Sequence, residues 1–204
     1  MKIKHILLTL AATSMAMTLV GCKGDFSKVE QGRTIAFNKE TKEVTLIHDS
    51  AMDPQKPVYD VLPPSVFKLP LDPQEPGPEP KAGQRMKLDT EKKVIVIFDT
   101  KTQKLVEIPI TIVDLQQPID KEHPLVFDKA EKKAKKFPVV DKEKKTITIF
   151  SGRQKMLCTF SVPDQYFSYP ESTWDAGDEV RLTYKTAGQA LRFMNVSKTD
   201  IFKK

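Results

Sequence analysis

Short alternations of apolar and polar residues run along most of the chain and predict strands. TIAFNKETKEVTLIHD at 34–49 reads as two β-rich runs around the polar stretch 38–43, a hairpin with Asn and Lys in its turn. A stronger signal comes later, as a repeat. DTEKKVIVIF at 89–98 aligns without gaps, 52 residues on, with DKEKKTITIF at 141–150, and at the same offset Val106, Ile108 and Ile110 fall on Cys158, Phe160 and Val162. The constant register keeps the alternation in phase. Residues 89–113 and 141–165 are therefore expected to be two copies of one meander: strand, Asp-and-Lys turn, strand, turn, strand. The 34–49 hairpin reads as a looser copy with one extra turn residue, which puts His48 where the others have Phe98 and Phe150.

The strand faces follow from the same pattern. Ile147 and Ile149 alternate with Thr146 and Thr148, so one face is buried and the other wet, whereas 94–98 is apolar throughout and predicts a strand covered on both faces. Pro109 interrupts the next strand and predicts an edge or a bulge. Residues 54–80 hold nine of the fifteen prolines, which excludes a helix or a central strand there. The first half of that tract, with Tyr59, Val61, Leu62, Val66, Phe67 and Leu69, is expected to pack as an edge strand or arm; the second, PLDPQEPGPEP, reads as an exposed polyproline-like loop. Good helix formers at 128–136, with Asp128 at an N-cap, lysines at the end and Pro138 beyond, predict a short helix. Val180, Leu182 and Tyr184 alternate with Arg181, Thr183 and Lys185, Gly188 sits in a turn, and Leu191 and Phe193 alternate with Arg192, which is a closing hairpin. The expected fold is all-β: antiparallel meanders and hairpins forming a sandwich or two small barrels, partly by internal duplication, with at most one short helix.

The N-terminus carries a different pattern. Lys2, Lys4 and His5 precede an apolar run over 6–20, the layout of a secretory signal and shorter than the roughly 20 residues of a membrane-spanning helix. Leu19-Val20-Gly21-Cys22 follows, and these four residues resemble the lipobox of bacterial lipoprotein precursors, the substrates of the signal peptidase II type. The resemblance implies a diacylglyceryl group on Cys22, cleavage before it and fatty acylation, palmitate included, of the new amine. Two or three such chains are enough for stable membrane attachment. Lys23 stands where an Asp would retain an enteric-type lipoprotein in the inner membrane, which implies an outer-membrane location facing the periplasm. The alternative is an ordinary signal peptide with a chance cysteine, but no A-x-A-like site is well placed for it. Beyond the lipobox the chain is similar in general appearance to uncharacterised small lipoproteins of sulfate-reducing bacteria, which implies no activity. The expected organisation is a signal peptide at 1–21, a lipidated tether at 22–32, an N-terminal hairpin plus Pro-rich arm at 33–82 and a β-rich domain at 83–204.

Composition narrows the partners. Loss of Lys2 and Lys4 with the signal would lower the formal charge from +6 to +4, and the excess is lysine spread over turns, with few arginines. That balance argues against nucleic acid and suits a cell-wall polymer, anionic lipid or solubility. With Cys22 consumed by lipid, Cys158 is left alone and no internal disulfide is expected.

Catalytic patterns are sparse. Ser65-Val66-Phe67-Lys68 fits S-x-x-K, but Pro63, Pro64 and Pro70 block the helix that brings such a lysine to its serine. Cys158 aligns with Val106 and reads as a small buried hydrophobe. His48 with Asp49 and Asp53, or His123 with Asp120 and Glu122, lack metal-ligand spacing, so neither a metal nor another cofactor is expected. Lys132, Lys133, Lys135 and Lys136 form either a solvated face or a contact to anionic headgroups. Tyr166, Phe167, Tyr169 and Trp174 either plug one end of the fold or line a recognition groove, and Tyr166, Tyr169 and Trp174 are the candidate ligand-binding residues. The functional expectation is a non-enzymatic cell-envelope lipoprotein that binds or scaffolds an envelope protein or cell-wall polymer. A ligand-binding module for a small molecule, glycan or metal is the second reading, and a hydrolytic enzyme the third.

Overall fold

The computed structural model describes residues 26–53, 56–72, 74–75 and 77–199. The fold is all-β and sandwich-like, built from antiparallel sheets, with no closed barrel among the described residues. Strands β1 (Lys28–Asn38), β2 (Glu43–Asp49) and β3 (Tyr59–Lys68) form a meander. Near the end of the chain β13 (Glu179–Tyr184) and β14 (Ala190–Asn195) join it, giving a five-stranded sheet of order β14-β13-β1-β2-β3. The N-terminal strands β1–β3 therefore share a sheet with the C-terminal hairpin.

The repeat occupies the middle of the chain. Its first copy is a three-stranded sheet of β4 (Arg85–Asp89), β5 (Val94–Asp99) and β6 (Lys104–Pro109). Its second is β10 (Val139–Asp141), β11 (Thr146–Ser151) and β12 (Met156–Ser161), extended by β7 (Thr111–Gln116) to a sheet of order β10-β11-β12-β7. β6 is an edge strand that ends at Pro109, and the chain then crosses to the other sheet as β7. Both copies present the same positions to one core: Ile95, Ile97, Ile108 and Ile110 meet Ile147, Ile149, Phe160 and Val162. Phe98 and Val96 lie instead against Ile35, Ile47 and Tyr59 of the five-stranded sheet. The three-stranded sheet is thus a middle layer with both faces covered, which is why β5 is apolar at every position from 94 to 98.

One turn chemistry recurs six times. Asn38, Asp89, Asp99, Asp128, Asp141 and Ser151 each pair across a four-residue loop with the residue five positions on. The residue before that partner has positive φ in every case: Lys42, Lys93, Gln103, Lys132, Lys145 and Lys155. The opening side chain accepts backbone N–H bonds from within its own loop, as Asn38 Oδ1 does from Glu40 (2.9 Å) and Thr41 (3.1 Å) and Asp141 Oδ1 from Glu143 (3.1 Å) and Lys144 (2.9 Å). This is why the Asp-and-Lys spacing reports hairpins.

Three sequence expectations are corrected. The 34–49 copy has no extra turn residue: Lys42 matches Lys93, so Ile47 rather than His48 takes the place of Phe98, and Ile47 and Phe98 share one cluster. Residues 128–136 are not a helix. Asp128 Oδ1 accepts from the N–H groups of Ala130 and Glu131, which serves an N-cap and a hairpin turn equally, and β8 (Phe127–Asp128) pairs with β9 (Lys133–Ala134). Among the described residues the α-helix is a single turn elsewhere, α1 (Asp164–Phe167). Residues 28–32, assigned to the tether, belong to β1 and pair with β13, because Glu30 and Gln31 are buried as polar groups there.

Elsewhere the pattern holds with local adjustments. β3 is an edge strand whose pairing skips residues 62–64 opposite Ile47, so Pro63 and Pro64 bulge out where no ladder N–H is needed. Ser65 and Lys68 therefore lie on a strand, three residues apart and on opposite faces. In the closing hairpin a register shift opposite Thr183 and Tyr184 buries Ala190 and Phe193 and leaves Leu191 exposed. Cys158 is fully buried on β12, and burial, seconded by Asp114, pushes its thiol up to about 11. With Cys22→Ser leaving Cys158 as the remaining thiol, the native chain at about pH 8 should resist a disulfide reagent such as Ellman's, while the guanidinium-unfolded chain reacts with one equivalent. Rapid labelling of the folded chain would contradict this placement.

Candidate functional site

Two backbone segments cross where the five-stranded sheet meets the repeat, one leading into β4 and the other into β13. Asp178 N–H donates to Lys81 O (2.8 Å), Arg85 N–H to Asp175 O (2.9 Å), and Gln84 N–H to Ser172 O (3.1 Å). Beside this crossing lies a cavity of about 560 Å³. Lys81 and Arg85 line it from the first segment, Trp174, Asp175 and Ala176 from the second, Lys135, Lys136, Phe137 and Pro138 from the run after β9, and Ile149 and Phe150 from β11. The site therefore has contributions from both copies of the repeat and from the connector into the five-stranded sheet.

Its charge is strongly asymmetric, with four cationic side chains and one carboxylate. Asp175 pairs with Lys81 at 2.5 Å, and burial nevertheless raises its carboxyl above the usual range. Arg85 is 7% exposed. Among the described residues its guanidinium makes one hydrogen bond, from Nε to Trp174 O (2.9 Å). Burial, reinforced by nearby Arg33 and opposed by Asp175, pushes it down to about 10, so it stays cationic at neutral pH. The remaining walls are apolar: Ile149 is fully buried in the repeat core, and the rings of Phe137 and Phe150 meet at 6.2 Å.

The three candidate ligand-binding residues form a row of rings rather than one pocket. Tyr166 and Tyr169 meet edge-on at 5.7 Å, and Tyr169 stacks near Trp174 at 6.5 Å. Trp174 is fully buried and lines the basic cavity. Tyr169 lines a second, shallow cavity with Phe167, Lys142, Lys145 and Asp164, while Tyr166 packs on the repeat core. Sequence reasoning missed Lys81, Arg85 and Asp175. The available signal was the scarcity of arginine: only five occur, and Arg33 and Arg85 are both buried at the crossing.

A second polar cluster lies across the crossing. Arg33 Nη1 donates to Arg85 O (2.9 Å) and Met86 O (2.8 Å), and its guanidinium sits 4.3 Å above the ring of Tyr59. The Tyr59 hydroxyl donates to Glu179 Oε2 (3.0 Å), which also takes an ion pair from Arg153. This cluster ties β1, β3, β4, β13 and the β11–β12 turn together.

The remaining sequence candidates are dispersed. His48 Nδ1 lies 3.9 Å from Glu30, Asp49 caps the turn into β3 by accepting from Val58 N–H (2.7 Å), and His123 sits in a turn where its Nδ1 accepts from Leu125 N–H (3.3 Å). Among the described residues no three His, Cys, Asp or Glu side chains converge as a metal site would require. Nor is any helix there long and apolar enough to cross a membrane. The signal segment 1–21 and Cys22 lie outside the described residues.

No curated protein and no solved structure matches the chain. The model of one family, described as a domain of unknown function (DUF4881), matches residues 25–204, from just after Cys22 through both copies of the repeat to the closing hairpin, and the chain belongs to that family.

Proposed function

We propose that the chain is a lipid-anchored protein of the bacterial cell envelope, facing the periplasm from the outer membrane, whose β fold binds another envelope component without catalysis. The observation that carries this reading is the lipobox-like Leu19-Val20-Gly21-Cys22 followed closely by structure. β1 starts at Lys28, six residues after Cys22. Six extended residues reach about 20 Å, so an acylated Cys22 would hold the five-stranded sheet near the headgroups. Scaffolding of a membrane neighbour or of cell-wall polymer suits that placement.

The reading as a ligand-binding module is favoured by one specific observation, the basic cavity with its buried Arg85. The two readings are compatible, since an anchored domain can present a pocket.

In the bacterium that makes it, the wild-type chain should incorporate labelled palmitate and sediment with membranes, and Cys22→Ser should lose the label and move to the soluble fraction. Unchanged fractionation of Cys22→Ser would sink the anchored reading.

A further inference from the structure

The cavity at the crossing has features that a structural crevice does not need. Arg85 is buried with its two terminal amines unbonded among the described residues, facing space lined by Lys81, Lys135 and Lys136. The nearby carboxylate, Asp175, is already paired with Lys81, so it does not fill the donor fork of the guanidinium, and a buried charge whose donors are left unfilled costs stability. Asp175 offsets one charge, through Lys81, and three cationic side chains remain without a carboxylate among the lining residues. The geometry points to a binding site for an organic phosphate monoester, its dianion held by Arg85, Lys135 and Lys136 and its apolar body seated against the partly exposed Phe137 and Phe150. A planar fork matches phosphate oxygens in pairs, and the flanking lysines act as point charges. The apolar wall selects an esterified phosphate over the inorganic ion. The volume, about 560 Å³, is that of a small-molecule site.

This inference deepens the binding half of the proposed function and is independent of the anchor, which membrane fractionation tests separately. Lys135 and Lys136 are exposed on the run between β9 and β10, so charge reversal there spares the fold. Lys132, in the β8–β9 turn, and Lys133, on β9, do not line the cavity and serve as a control with an equal change in net charge.

The full chain in nonionic detergent is titrated by calorimetry with phenyl phosphate, inorganic phosphate and phenol. Phenyl phosphate should bind saturably with one site per chain, roughly tenfold or more tighter than either fragment. Lys135→Glu/Lys136→Glu should weaken it by at least about tenfold at unchanged melting temperature, and Lys132→Glu/Lys133→Glu by less than about twofold. Arg85→Lys, which keeps the charge and loses the fork, should weaken it further. Competition by phosphatidate in nanodiscs would assign the phosphate to a lipid headgroup, and no competition would assign it to a soluble ester; both support the site. Absence of saturable phenyl phosphate binding, or equal losses in the two double-lysine variants, would overturn it.

Discussion

Gly177→Ala is expected to lower the melting temperature by about 10 °C or more, while Gly152→Ala leaves it within a degree or two. A Cβ at Gly177 would lie 1.8 Å from Thr34 O and 3.0 Å from Gly83 N. Neither atom can retreat cheaply. Thr34 O accepts from Gly83 N–H (3.2 Å) and Thr34 N–H donates to Asp178 O (2.9 Å), so β1 is clamped at the irregularity between Thr34 and Ala36. Relief requires the connector into β13 to move off β1, which separates the five-stranded sheet from the repeat. The cost is on the order of 4 kcal/mol, at the upper end for single substitutions. At Gly152 the nearest atom is Lys121 Cε at 3.4 Å, the end of a flexible side chain. Equal melting temperatures for the two variants would show that the segments do not cross as described.

Glu179→Ala is expected to cost about 3–5 kcal/mol, the usual loss when one partner of a buried ion pair is removed. Glu179 is 3% exposed and is the carboxylate against which Arg33, Arg153 and the Tyr59 hydroxyl are arranged. Burial already lowers the Arg33 guanidinium below its ordinary value, and without Glu179 that charge is left with the neutral carbonyls of Arg85 and Met86 and the Tyr59 ring, but no carboxylate of this cluster. The structural test is a cycle. If the charges act as a unit, Glu179→Ala/Arg153→Met should be less destabilised than the sum of the single variants by more than about 1 kcal/mol in denaturant titrations. Additivity, with a small effect of Glu179→Ala alone, would reduce the cluster to a set of surface contacts.

The parts of the fold that were legible in the sequence are those in which a local rule and the core agree. Ile95 and Ile97, and their counterparts Ile147 and Ile149, alternate because one strand face is buried, and Asp89 and Asp141 open their turns by accepting N–H bonds that only a tight loop supplies. The repeat was visible for the same reason. The polar crossing was not, because Glu30 and Gln31 have the composition of a tether, and it is their place on β1 against β13 that buries them. Residues 128–136 misled because Asp128 suits a helix start and a hairpin turn alike; the deciding clue was Lys132 four positions on, the spacing of Asp89 to Lys93 and Asp141 to Lys145. For the candidate site, aromatic clustering pointed to Trp174, but Arg85 is a lone arginine at a strand start, and nothing local distinguishes it from a surface residue.

The placement of β1 between β2 and β13 also governs how the chain reaches its native state. The two three-stranded repeat meanders close through neighbouring strands and four-residue turns, which are fast, low-contact-order events, whereas the Lys28↔Tyr184 register joins residues more than 150 positions apart. Until residues near 184 have emerged, β1 has an open edge and Glu30, Gln31 and Arg33 have no burial to enter. Completion of the five-stranded sheet is thus the late event in folding, and a chain stopped short of β13 is left with an unpaired strand available to any neighbour that can zip onto it.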